Sequence, residues 1–185
     1  MIGAGIMGGD IAAWCALKGL TVTLQDQSYA NIAPAIARAK KLFEKRLKKP
    51  YLVQRAMDKL IADPQGDGVS RADVIIEAVF EKLDVKQKIF QHLEKHAKPN
   101  AILATNTSSI PLDDIIQVMK NPSRLVGIHF FNPVAMMELV EVVHAEHTAQ
   151  DILEKAYAFV GQIGRLPLPV KSSPGFLVNR VLMPY

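Results

Sequence analysis

Cysteine is nearly absent from this sequence: Cys15 stands alone among 185 residues. No internal disulfide can form, which fits a reducing compartment and a cytoplasmic location. Long apolar runs are missing too; the longest are short and strand-like, so neither a membrane span nor a secretory leader is expected. Metal-ligand spacing is lacking, because His92, His96, His144 and His147 have no cysteine or carboxylate partners at useful intervals, and no metal is expected. Nucleic-acid motifs, internal repeats and low-complexity segments are also absent. What is present is an apolar fraction of 49% with 22% charged residues, the mark of a folded globular chain. This length suggests one domain, or one plus a fragment.

The most informative stretch is Gly3-Ala4-Gly5-Ile6-Met7-Gly8, a G-x-G-x-x-G loop. Gly3 permits a tight turn out of a strand, Gly5 lets backbone approach a pyrophosphate, and Gly8 allows close helix packing. The hexapeptide alone is weak, since glycine-rich turns also occur by chance. Its context strengthens it. A small-residue helix from Asp10 leads to Gly19 as its C-terminal cap, and Leu20–Gln25 reads as a buried strand ending at Asp26. That carboxylate falls about 20 residues past the loop, where a dinucleotide fold needs an acid for the ribose hydroxyls. NAD is therefore expected as cofactor, in a Rossmann-type α/β fold.

The rest of the chain reads as a doubly wound, mostly parallel sheet with a helical insertion. Only Met1 and Ile2 precede the glycine loop, so the first strand reads as truncated, by trimming or excision of a segment. Ser28 caps a helix running through Leu47, Pro50 interrupts it, and a second helix is expected over Leu52–Leu60, forming a projecting hairpin. Asp63–Gly68 is a loop. Strands follow at Asp73–Val79, Ala101–Thr105, Leu125–Phe131 and Leu139–Val143, with a proline-bearing edge strand at Leu166–Val170. Helical spacing falls at Val85–His96, Asp113–Met119, Asp151–Gly161 and Phe176–Tyr185. Residues 1–172 are expected to form the cofactor domain. Residues 173–185 would be a linker and the start of a C-terminal helical domain, whose absence should leave Phe176, Leu177, Val181 and Leu182 without packing partners.

Two ionisable residues interrupt apolar strands. His129 and Glu141 would each be costly to bury unless partnered. If they meet, the carboxylate can orient the ring while the imidazole takes a hydroxyl proton. Singly, each also suits a structural role, as a hydrogen-bonded core histidine and a surface carboxylate. Ser108 lies in Asn106-Thr107-Ser108-Ser109, a ligand-edge cluster that equally suits a plain turn. Asn132 before Pro133 equally suits a plain strand end, and Asn179 a solvated helix position. Arg38, Lys40, Lys41, Lys45, Arg46, Lys48 and Lys49 crowd one segment against Glu44 alone. That run is either a solvated helix face or a landing site for a polyanion.

Taken together, the glycine loop, Glu77-Ala78-Val79-Phe80-Glu81, Asn106–Ser109, His129-Phe130-Phe131-Asn132-Pro133, Leu139-Val140-Glu141 and Pro174–Arg180 resemble the 3-hydroxyacyl-CoA dehydrogenase family. The likeness covers essentially the whole chain. The tail Asn179–Tyr185 looks most like the dehydrogenase segment of the multifunctional fatty-acid oxidation α-subunit.

The resemblance implies NAD-dependent oxidation of (3S)-hydroxyacyl-CoA to 3-ketoacyl-CoA. It makes His129 the base, Glu141 its partner, and Ser108 and Asn179 contacts to the substrate oxygen. Gly3, Gly5, Ile6, Met7, Gly8, Asp26, Glu81, Lys86 and Asn132 match cofactor contacts. The hairpin would help hold coenzyme A, with Ser108 and Lys49 as substrate contacts, although a family serine falls at Leu42. A homodimer or a thiolase-containing complex is the implied assembly, and turnover by this chain alone should be poor. Other readings remain open: a hydroxyacid dehydrogenase acting on a non-CoA substrate, or a non-catalytic structural protein, as λ-crystallin resembles this family.

Overall fold

A computed structural model describes residues 1–182; Met183, Pro184 and Tyr185, the end of the expected terminal helix, lie outside the described residues. α1 (Ile6–Leu17) opens at Gly5, and Gly19 at φ +93° carries the chain out of it. β1 (Val22–Leu24) follows. Ser28 then caps α2 (Tyr29–Leu47), its hydroxyl accepting from the Asn31 amide at 3.3 Å. Left-handed Lys48 ends α2, and α3 (Pro50–Met57) begins on its proline.

The second helix stops at Met57, short of the expected Leu60. Leu60 instead opens β2 (Leu60–Ala62), which pairs in parallel with β1 and sets Val22 opposite Leu60. So short an apolar run cannot be told from a helix end by periodicity; only its partner strand decides. The α2–α3 hairpin is therefore the crossover between two neighbouring strands. Ile32, Ala35, Ala39 and Phe43 bury one face of α2, which packs on α1.

β3 (Val74–Glu77), β4 (Ile102–Thr105), β5 (Leu125–Phe130), β6 (Leu139–His144) and β7 (Leu166–Lys171) form a five-stranded sheet in chain order. Its neighbours are parallel except β5 and β6, which run antiparallel. Ile2 bridges Gln25 on one side and Glu77 on the other, so this single residue joins the β1–β2 pair to the larger sheet. β7 lies at the edge, where prolines are tolerated.

Helices cover both faces, as a doubly wound sheet requires: α4 (Leu83–His96) and α5 (Leu112–Ile116) on one side, α1, α2 and α6 (Gln150–Gln162) on the other. Strand alternation divides the core accordingly. Ile128, Phe130, Val140 and Val142 face the α1–α6 side, whereas Leu125 and Val143 face the α4–α5 side.

The last described helix, α7, spans Val178–Leu182 rather than starting at Phe176. Phe176 is left-handed at φ +50° and only 1% exposed, buried in the α4–α5 core. The expectation that it would lack packing partners is thus wrong. Its neighbours Leu177, Val181 and Leu182 are exposed, at 45%, 58% and 63%. Sequence spacing could not separate a residue that turns back into the core from the helix that follows it.

Candidate functional site

The glycine loop is packed too tightly to admit side chains at two points. A Cβ on Gly3 (φ +97°) would lie 2.6 Å from the Ala78 carbonyl, and one on Gly8 2.0 Å from the Gly3 carbonyl. At Gly5 a Cβ would meet nothing within 4 Å, which leaves open space at the start of α1. No side chain caps that end, so its first amides remain available to an anion. Ile6 is 62% exposed there, and Met7 lines the neighbouring cavity. These features fit a dinucleotide pyrophosphate.

Asp26 lies beside the loop and accepts from the Ala4 amide at 2.8 Å, the Gln27 amide at 2.7 Å and the Asn31 amide group at 2.9 Å. Partial burial works to raise its pKa, but these three donors outweigh it and hold the carboxyl below its ordinary range. Arg38 reaches the same loop, donating to the Gly5 carbonyl at 3.0 Å and pairing with Asp10 at 3.1 Å. The sequence showed Arg38 only as one charge in a basic run. Its separation of 33 residues from Gly5 gave no local signal.

A buried ionic cluster caps the ends of β3 and β4. Glu77 is fully buried and accepts from Lys86 at 2.7 Å, the Thr105 hydroxyl at 2.8 Å and the Val79 amide at 2.7 Å. Lys86 also meets Glu81 at 3.3 Å. Glu81 in turn accepts from the Thr107 hydroxyl, the Ser108 amide at 3.0 Å and the Ser109 amide at 3.3 Å. Burial works to raise Glu81, yet the Thr107 hydroxyl, the Lys86 charge and the Ser108 amide hold it low. Lys86 therefore underpins Glu81, and Glu81 fixes the backbone of Ser108. Asn106 ties this loop to β5, its side-chain carbonyl accepting from the Phe130 amide at 2.9 Å.

His129 and Glu141 stand directly opposite one another across the antiparallel β5–β6 pair. Their Nδ1 and Oε2 atoms are 2.7 Å apart, with His129 5% and Glu141 0% exposed. The other carboxylate oxygen accepts from the Leu177 amide at 3.1 Å and the Val178 amide at 2.8 Å. Burial pushes the Glu141 carboxyl up; the bonds from His129, Val178 and Leu177 overcome this and hold it low. Phe131 and Phe176 flank the imidazole at centroid distances of 4.6 and 5.7 Å. Asn179 donates to the Ser108 carbonyl at 3.2 Å.

A cavity of about 450 Å³ gathers these groups: Met7, Glu81, Lys86, Ser108, His129, Asn132 and Asn179 all line it. It opens at the carboxyl ends of the parallel strands, where ligands of open α/β sheets bind. A larger cavity of about 590 Å³ lies between β1, β3 and α1, lined by Ile11, Cys15, Thr23 and Val74 among others. It contains none of the candidate catalytic or cofactor residues; the lone cysteine, Cys15, lines it. Burial pushes that thiol up to about 12, away from the thiolate form that a nucleophile needs.

Other expected contacts are spread out. Lys49 is exposed at the start of α3, while Leu42 packs against the core and has no polar side chain to offer a ligand. Arg46 donates to the Ala135 carbonyl at 2.8 Å, joining the hairpin to the loop after β5. Among the described residues no group of three His, Cys, Asp or Glu side chains is arranged to hold a metal, and no helix is long and apolar enough to cross a membrane.

Residues 1–173 match the family model described as "3-hydroxyacyl-CoA dehydrogenase, NAD binding domain". Among solved structures, 3-hydroxybutyryl-CoA dehydrogenase from Escherichia coli K12 is 37% identical with a TM-score of 0.95, over 100% of this chain and 40% of that one. (S)-3-hydroxybutyryl-CoA dehydrogenase PaaH1 from Ralstonia eutropha is 35% identical with a TM-score of 0.94, over 99% of this chain and 66% of that one. The dehydrogenase part of multifunctional enzyme 1 from C. elegans is 31% identical with a TM-score of 0.81, covering 91% and 40% of the two chains. This chain thus spans between two fifths and two thirds of the length of these relatives.

Proposed function

The chain belongs to the 3-hydroxyacyl-CoA dehydrogenase family as its NAD-binding domain, and on that premise we propose that it serves the oxidation of (3S)-hydroxyacyl-CoA to 3-ketoacyl-CoA in fatty-acid β-oxidation. One observation carries the reading: His129, paired behind with the fully buried Glu141, lines the same cavity as the glycine-loop residue Met7.

His129 is the general base. Its Nδ1 is committed to Glu141, so Nε2 is the ring nitrogen left for a substrate hydroxyl. Glu141, ionised and held by three donors, fixes the ring and stabilises the imidazolium formed when the proton arrives. NAD, when bound, supplies the hydride acceptor. Ser108 and Asn179 hold the reacting oxygen near His129, and Glu81 keeps the Ser108 loop in place. Gly3, Gly5, Ile6, Met7 and Gly8 take the pyrophosphate side of the cofactor and Asp26 the ribose. Glu81, Lys86 and Asn132, which line the cavity beside His129, would complete the cofactor contacts.

Ser108 and Lys49 are assigned to the acyl-CoA, and the exposed basic hairpin supports a polyanionic ligand. We place the division between this domain and a helical one at 172/173. A cytoplasmic homodimer or thiolase-containing complex is the assembly that fits the multifunctional reading; gel filtration and pull-down with thiolase test it. The activity is tested by NADH-dependent reduction of acetoacetyl-CoA against free acetoacetate, in this chain and in one extended at both ends. Preference for the thioester supports the reading, and preference for the free acid would favour the non-CoA alternative. NADH binding without turnover in either form would favour the structural one.

A further inference from the structure

We propose that Phe176 is a positioning residue for the catalytic pair: it anchors the turn that seats two backbone amides on Glu141 and brings Asn179 to Ser108. The inference rests on the dehydrogenase reading only in calling the pair catalytic. The contacts themselves are geometric.

Gly175 at φ +73° and Phe176 at φ +50° are left-handed in succession, and the Phe176 amide donates back to the Ser173 carbonyl at 3.0 Å. This tight reversal points the next two amides, from Leu177 and Val178, at one oxygen of Glu141, at 3.1 and 2.8 Å. Successive amides converging in this way form an anion-binding concavity, and here the anion is the protein's own carboxylate. His129 takes the other oxygen at 2.7 Å. With both oxygens held, the carboxylate cannot rotate, and the imidazole that follows it is fixed.

A phenylalanine in the left-handed region is strained, and the strain persists only where surrounding packing imposes it. That packing is visible: the ring is 1% exposed in the α4–α5 core and meets the His129 ring edge-on at 5.7 Å. One turn further on, Asn179 donates to the Ser108 carbonyl. A single buried side chain thus ties both halves of the oxygen-binding site to the segment that leaves the domain. Without it, one oxygen of a fully buried carboxylate would lose its donors.

Amide exchange and imidazole NMR on the 185-residue chain test this without requiring activity. The Leu177 and Val178 amides should exchange more slowly than the exposed backbone around them, and the His129 Nδ1 proton should give a resolved, downfield signal. Phe176→Ala should abolish the amide protection and the imidazole signal while leaving NADH affinity within about twofold, because the glycine loop is untouched. Phe176→Leu, which keeps an apolar anchor, should restore both. Since Phe176→Ala can unfold the domain, Gly175→Val supplies a second variant: it strains the turn, empties no core space, and should show the same two losses. Unprotected Leu177 and Val178 amides in the unsubstituted chain overturn the proposal outright, as does an unchanged imidazole signal in either disruptive variant. If the signals respond as expected but an extended chain fails to oxidise hydroxyacyl-CoA, the positioning role stands and the dehydrogenase reading falls.

Discussion

Two buried carboxylate pairs, Glu77 with Lys86 and Glu141 with His129, each 2.7 Å long, flank the same cavity and do different work. Glu77–Lys86 is closed: the carboxylate is also bonded to Thr105 and Val79, and the ammonium reaches a second acid, Glu81. His129–Glu141 is open at one end: the carboxylate is fully engaged, yet only Nδ1 of the imidazole has a partner among the described residues. A buried charge therefore does not mark chemistry by itself. The mark is an unused hydrogen-bonding position that faces a cavity, on a group whose other valences are held rigidly.

The sharpest way to break this contrast is His129→Gln in an active, extended form. Turnover should fall by roughly 10²–10⁴-fold, the usual contribution of a positioned general base, with NADH binding nearly unchanged. Stopped-flow kinetics and an NADH titration decide; near-normal kcat would make both pairs structural. Lys86→Met should act first on stability, since removing one partner from a buried pair costs about 3–5 kcal/mol. Urea unfolding measures this, and the double change Glu77→Leu/Lys86→Met should recover much of the loss. Equal stability of the single variant and the unsubstituted chain would mean that the closed pair contributes nothing.

Glu141→Gln should lower kcat by about 10²-fold, less than loss of the base itself, because the imidazole remains but is poorly oriented. Outside both pairs, Asp26→Ala should weaken NAD on the order of tenfold and narrow its advantage over NADP, since the carboxylate favours ribose hydroxyls and repels a 2′-phosphate. Equal affinity of the unsubstituted chain for both cofactors would remove Asp26 from that role.

The smallest expected effect concerns acid. Glu141 titrates below its ordinary value in the folded chain, so its contribution is present above the unfolded value of about 4.3 and is lost as pH falls through the lower folded value. Stability should thus decline more steeply with acidification in the unsubstituted chain than in Glu141→Gln, as followed by urea midpoints at successive pH values. Parallel pH profiles would show that the three donors do not bias this carboxylate.

The sequence by itself determined what depends on local backbone and strand alternation. The glycine loop, the cap at Gly19, Ser28 before α2, Asp26 after β1 and the edge placement of β7 were legible because each rests on φ preference, capping or period within a few residues. His129 and Glu141 were legible as anomalies, polar residues in apolar strands, but their meeting required antiparallel pairing that no spacing of 12 residues dictates. Only the tertiary structure made Leu60 a strand residue, because β1 lies alongside with Val22 opposite it, and only it brought Arg38 to the Gly5 carbonyl. The same holds at the other end of the chain. Phe176 has the apolar spacing of a helix residue, yet burial beside His129 outweighs its local preference, and that long-range packing places the amides of Leu177 and Val178 on Glu141.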